Sequence, residues 1–417
     1  MRRGRRRLGE NSRAVHLPPP QLPREVPTGL PVWRTSGWGP APPGSPGQYG
    51  SSWPAGSAAD RSSGLVENRA DNPTVAAFAA AMAAMEGAAA PEDVAGQAFP
   101  SGMAATTAVF LSLLRTGAHV LAPAPVHGGT HSLLTNVLSR FGIAADFVDY
   151  SDLRRVHAAI RPTTKIVYAE TLANPTMAVA DIRGLYRIAR DAGALLVVDS
   201  TLATPVVCRP LEHGADLVVH SATQYVGGHD DCSGGVVVGR PDLINLIREV
   251  RVDTGASLSP DDAFLLRRGM ETMTLRMRRI CSTAMVFAAS LAKHPVVRRV
   301  DYPGLPAHPG HQLARHLFDS GPEGTRFGGC VTVTVYGGHD AGAALADALR
   351  LARIAGSFGG TRTTAVHLAS AARPDEALSG MDAGAVRFSI GLEDAEDLIM
   401  DVTQALDAMR SNGHTRA

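Results

Sequence analysis

At 417 residues the chain is long enough for two or three domains with a sizeable core. Apolar content of 45% with a mean hydropathy of +0.00 reads as soluble and globular, and no stretch is long and apolar enough to span a bilayer. A net charge of +1 argues against bulk nucleic-acid binding, and four scattered cysteines without C-x-x-C or zinc-ligand spacing point to reduced thiols, a cytoplasmic setting and no metal.

Residues 1 to about 60 are rich in Pro, Gly, Ser and Arg and lack apolar periodicity. They predict an N-terminal arm over 1–72 whose first part is disordered. Its MRRGRRR start reads as a solvated basic end, since no apolar segment follows to make a leader. Asn72-Pro73-Thr74 is a helix-start signal, and the Ala-rich VAAFAAAMAAMEG after it reads as helix. Ser101-Gly102-Met103 opens a second helix, where Gly permits close approach and free first-turn N–H groups suit an anion. HVLAP is a short strand, followed by Val126-His127-Gly128-Gly129-Thr130. His127 and His131 have helical spacing, but no acidic partner completes a metal pattern.

TKIVYAETLANPTM reads as a strand running into a loop, IRGLYRIARDAG as an amphipathic helix, and ALLVVD as the next strand. This alternation predicts an α/β domain whose parallel sheet is covered on both faces. Asp199 ends that strand. A further apolar strand, Leu217 to Val219, opens into the hydroxyl-rich turn His220-Ser221-Ala222-Thr223, followed by Gln224. A lone carboxylate and a hydroxyl turn at strand ends suit a ring nitrogen and an anion. DDAFLLRRGMETMTLRMRRICSTA is a long helix leading into a second domain, giving expected domains at 73–275 and 276–417. CVTVTVYGG alternates as a half-buried strand would. Ser357-Phe358-Gly359-Gly360-Thr361-Arg362 and Ala385-Val386-Arg387 close the set.

In this order the segments resemble the Cys/Met-metabolism (trans-sulfuration) family of pyridoxal-phosphate (PLP) enzymes, which includes cystathionine gamma-synthase, cystathionine gamma-lyase and methionine gamma-lyase. The resemblance runs from about residue 60 to 410. It implies the fold type I, aspartate-aminotransferase-like architecture: a large α/β domain and a smaller C-terminal α+β domain. It also implies an amino-acid substrate, no membrane or nucleic-acid partner, and tetramers built as dimers of dimers. By the same resemblance Arg69 reaches the PLP phosphate of a neighbouring subunit. The Gly102 and Met103 N–H groups, Ser221 and Thr223 hold the phosphate. Asn174 meets the phenolic oxygen, and Asp199 faces the ring nitrogen. Arg387, with Ser357 nearby, forks onto the substrate α-carboxylate.

Four positions depart from the family pattern. Glu67 stands where the family has Tyr, and His127 replaces the Tyr that stacks on the ring. Imidazole can still stack and shuttle protons near neutral pH. Arg362 replaces a Glu, which favours a substrate with a distal acid. Gln224 occupies the position of the lysine that carries PLP in the family, and Lys165 and Lys293, the two lysines of the chain, lie elsewhere: one at a strand start, the other expected in a helix of the second domain. An amide can neither form an imine nor act as a useful base. Three readings stay open: PLP, or a PLP–amino-acid imine, bound non-covalently with His127 as proton carrier; a pseudoenzyme paired with a lysine-bearing paralogue; or a lyase or transferase that draws its amine from elsewhere.

Overall fold

The computed structural model describes residues 70–87, 89–90, 93–371 and 382–411. Glu67 and Arg69, and with them nearly all of the expected arm, lie outside the described residues.

A seven-stranded sheet carries the larger layer, in the order β1 (Ala95–Phe99), β7 (Gly235–Gly239), β6 (Leu217–Ser221), β5 (Leu195–Asp199), β4 (Thr164–Glu170), β2 (His119–Pro123) and β3 (Ala144–Val148). Strands β3, β2, β4, β5 and β6 run parallel, whereas β7 is antiparallel to both of its neighbours. The expected parallel sheet is therefore a mixed one, because β6 and β7 are joined by a loop rather than by a crossover helix.

The strands read as continuous Val, Leu and Ile runs because both faces are buried. Val198, Val218, Val236 and Val238 face one core, together with Phe78 and Met82 of the helix Pro73–Glu86 and Leu185 of the helix Ile182–Asp191. Val197, Leu217, Val219 and Val237 face the other, against Ala105 and Val109 of the helix Gly102–Leu113 and Ile244 and Ile247 of the helix Pro241–Thr254. Asn72 caps the Pro73–Glu86 helix as its motif predicts, its side chain accepting from the Thr74 and Val75 N–H groups.

The smaller layer is a five-stranded sheet in the order β12 (Arg353–Ile354), β13 (Thr364–His367), β14 (Ala385–Ser389), β11 (Cys330–Val335) and β8 (Val297–Asp301). Two-residue strands β9 (Ser320–Gly321) and β10 (Gly324–Thr325) form a separate hairpin. Strand β11 corrects an expectation: it is buried at every residue rather than on alternate ones. Its alternation is real, but the polar face is covered too, with the Thr332 hydroxyl donating to the Pro175 carbonyl at 2.6 Å.

The 32-residue helix Pro260–Leu291 joins the two layers. Its middle lies under the segment after Gln224, where Arg276 donates to the Tyr225 and Val226 carbonyls. Its second half meets the small sheet, with Phe287 and Phe388 edge to face at 5.3 Å. The domain boundary expected at 275/276 falls inside this helix. Lys293 lies beyond the helix C-cap at Ala292, not in a helix as expected from LAKHP.

Candidate active site

Strand periodicity builds the floor of a cleft. Residues two apart share a face, and Glu170 pairs with Asp199 across β4 and β5. Tyr168 and Glu170 therefore stand on the same face as Val197 and Asp199. Ser221, at the end of β6, shares that face with Val219 and projects into the same cleft. The helix Gly102–Leu113 begins directly above this row. It can approach because a Cβ on Gly102 would lie 2.7 Å from the Ser221 Cβ, and one on Gly235 would lie 2.2 Å from the Ser101 carbonyl oxygen. The first-turn N–H groups of the helix thus point toward the strand ends. Ser101 caps it by accepting from the Ala104 N–H.

The cleft is lined by Gly102, Met103, His127, Asn174, Asp199, Ser221 and Gln224, with apolar walls from Leu172, Leu202 and Phe358. Asp199 is held from two sides: the Thr201 N–H donates to one carboxylate oxygen at 2.9 Å and the Tyr168 hydroxyl to the other at 3.3 Å. The Thr201 hydroxyl in turn accepts from the Ser221 N–H at 2.8 Å, which ties the β5 end to the β6 end. Beside Asp199 the buried Glu170 accepts from the His127 N–H at 2.7 Å. Burial first, then the charge of Asp199, pushes the Glu170 carboxyl up to about 8, against the pull of the His127 and Asn174 N–H groups. Burial and the same two carboxylates push the Tyr168 phenol upward as well, so it stays a donor.

The small layer closes the outer side. Arg387 is buried, donates to the Asn174 side-chain oxygen at 3.0 Å and to the Gly356 carbonyl at 2.8 Å, and lies over the Phe358 ring at 5.3 Å. Gly359, at φ +86, lets this loop rest on the Gln224–Tyr225 backbone, where a Cβ would meet the Tyr225 nitrogen at 2.6 Å.

Comparison with known proteins agrees with this geometry. The family model described as "Cys/Met metabolism PLP-dependent enzyme" matches residues 48–407. The L-methionine gamma-lyase of Pseudomonas putida is 43% identical over 87% of this chain and 89% of its own. The cystathionine gamma-lyase of Bacillus subtilis is 40% identical over 84% and 90%. Among solved structures, metB from Corynebacterium glutamicum superposes with a TM-score of 0.83 at 35% identity, covering 88% of this chain and 93% of that one. The chain belongs to the Cys/Met metabolism family of PLP-dependent enzymes. Its two-layer fold is the fold type I architecture.

The cleft residues fit the family's cofactor. Two first-turn N–H groups and the Ser221 hydroxyl suit a phosphate, the Asp199 carboxylate suits a protonated ring nitrogen, and the close approach at Gly102 keeps the cradle free of a Cβ. Two buried side-chain atoms, Glu170 Oε2 and Arg387 Nε, have no hydrogen-bond partner among the described residues, and of the two residues Glu170 lines the cleft.

The expected site residues do not all converge. Thr223 is not on the cleft wall; its hydroxyl donates to the Gly234 carbonyl at 3.2 Å and accepts from the Gly234 N–H at 3.0 Å. The Ser357 and Arg362 side chains are exposed. The His127 ring is exposed and sits beside the Met103 sulfur, with Gly129 between them. Glu170, Tyr168, Thr201 and Phe358 were not singled out by sequence. The signal for the first two was present, since Tyr168 and Glu170 share the face on which Asp199 stands. Among the described residues no three or more His, Cys, Asp and Glu converge as a metal site, and no helix is long and apolar enough to cross a membrane.

Proposed function

We propose that this protein binds PLP, alone or already joined to an amino acid, without a covalent link, and acts on an amino acid on a trans-sulfuration scaffold. The observation that carries the reading is Gln224 in the cleft wall beside Asp199 and Ser221. Neither lysine compensates. Both are exposed, and Lys165 starts the strand whose other end reaches the cleft, about 17 Å away at the rise of an extended chain.

Bound PLP supplies an electron sink for charge developing on an amino acid. The chain's own groups divide the remaining work. The Gly102 and Met103 N–H groups and Ser221 hold the phosphate, with Thr223 behind them ordering the turn through Gly234. Asp199 keeps a proton on the ring nitrogen, held in place by Tyr168 and Thr201. Asn174 is held by Arg387, the chain's candidate for the amino acid's carboxylate. His127, at the exposed rim, carries protons to and from solvent. Gln224 can donate and accept hydrogen bonds but can neither attack a carbonyl nor take a proton. The relatives' names, L-methionine gamma-lyase and cystathionine gamma-lyase, support a sulfur-containing amino acid as the substrate class.

Gln224→Lys tests the reading. The wild type should release PLP on dialysis and give no borohydride-stable adduct; the variant should give one, read by mass at position 224. An adduct on Lys165 or Lys293 of the wild type would sink it. A second reading, an inactive subunit completing a lysine-bearing paralogue, rests on the same substitution and on Arg69 as a residue lent across an interface. It predicts a mixed oligomer on co-expression, whereas the first predicts a homotetramer, and sedimentation of the purified protein separates them.

A further inference from the structure

The family resemblance assigns Glu170 no role, yet the residue is a buried carboxyl group in the cleft row. It is 7% exposed and lines the cleft. The β4–β5 register places it beside Asp199, so two carboxyl groups stand at the ends of adjacent parallel strands. One oxygen, Oε1, accepts the His127 N–H at 2.7 Å. The other, Oε2, is buried and has no hydrogen-bond partner among the described residues. A buried carboxylate oxygen without a full hydrogen bond is a poor arrangement, and worse beside a second carboxylate. A neutral acid resolves both problems: it removes the repulsion from Asp199 and turns the orphaned oxygen into a donor.

We propose that Glu170 is a protonated carboxylic acid at neutral pH, that its Oε2–H donates to an acceptor atom of the ligand held above Asp199, and that its Oε1 fixes the backbone of His127. The identity of that ligand as PLP rests on the function proposed above. The groups facing Glu170 agree with the assignment. Asp199 on β5 repels a second charge, and Tyr168 on β4, the strand of Glu170 itself, already spends its hydroxyl on Asp199. The His127 and Asn174 N–H groups stabilise the anion less than burial and Asp199 disfavour it, which leaves the carboxyl at about 8. Arg387 is engaged by Asn174 and by the Gly356 carbonyl rather than by Glu170.

The test uses the full chain and Glu170→Gln, which keeps both the acceptor for His127 and a donor at the second position but cannot ionise. The infrared difference between wild type and variant, without PLP, should contain a protonated-carboxyl C=O band at pH 7 that fades through about pH 8. Adding PLP at pH 7 should shift that band. Fluorescence titration with PLP should show the wild type losing about tenfold more affinity than the variant between pH 7 and pH 9, the loss expected as an acid titrating near 8 gains charge. No carboxyl band at pH 7 overturns the proposal, and equal alkaline losses in the two proteins overturn the ligand contact. Absence of PLP binding in both proteins at every pH would reject the cofactor reading and the contact with it, while the ligand-free band still decides the protonation state.

Discussion

Replacing Arg276 by Met should unfold the protein more easily and loosen the segment that carries position 224. The guanidinium is 5% exposed and, among the described residues, meets no carboxylate. It donates instead to the carbonyls of Tyr225 at 2.7 Å, Gly269 at 2.8 Å and Val226 at 3.2 Å, and its Nε to the Thr272 hydroxyl at 3.1 Å. Methionine fills much of the same space and donates nothing. Three carbonyls would lose a donor; each such loss costs about 2 kcal/mol when buried, or about 6 kcal/mol together. Against this stands the relief of a desolvated cation. Burial lowers the Arg276 guanidinium from its ordinary value to about 10, which corresponds to about 3 kcal/mol. The net expectation is a loss of about 3 kcal/mol. Urea unfolding at pH 7, followed by tyrosine fluorescence and by far-ultraviolet dichroism, measures it. Hydrogen exchange at the Gly228 amide, which donates to the Gln224 carbonyl at 2.7 Å, should accelerate in the variant. A loss under about 1 kcal/mol, with unchanged exchange, would refute the claim that this guanidinium organises the loop.

Gly102→Ala places a methyl group 2.7 Å from the Ser221 Cβ and should lower PLP affinity more than tenfold, about 1.4 kcal/mol, by fluorescence titration; unchanged affinity would reject the phosphate cradle. Glu170→Gln should alter the pH dependence of stability. The folded carboxyl is raised from 4.5 to about 8, so the folded state keeps a proton that the unfolded chain releases. The wild type should therefore lose stability relative to the variant as pH rises from about 4.5 to about 8, by at most about 5 kcal/mol, and the gap should be level above that. Parallel profiles in urea would count against a buried neutral acid.

Much of the site was legible because its chemistry depends on residue type at fixed places along strands. Asp199 and Ser221 end apolar strands, and the Ser101-Gly102-Met103 helix start is visible as a cap followed by a glycine. What escaped was set by neighbours distant in sequence. Glu170 reads as the end of a strand until β5 is placed beside it. Arg276 reads as one of several arginines on a helix, and nothing local says that it is buried against the Tyr225 and Val226 carbonyls, 51 and 50 positions earlier. The Thr residues of β11 look solvent-facing for the same reason: the loop after Asn174 that covers them is 157 positions earlier. Thr223 shows the converse, since a hydroxyl in the right motif can be used by the backbone of its own turn.

The helix Pro260–Leu291 has a consequence for how the molecule can be taken apart. At 32 residues it is about 48 Å of continuous rod, with one half embedded beneath the cleft floor and the other in the small layer. Cutting the gene at codon 275 would therefore split the rod and leave each fragment with a half-helix whose buried face has lost its partner. A rod shared in this way should couple the unfolding of the two layers, which calorimetry would read as a single transition.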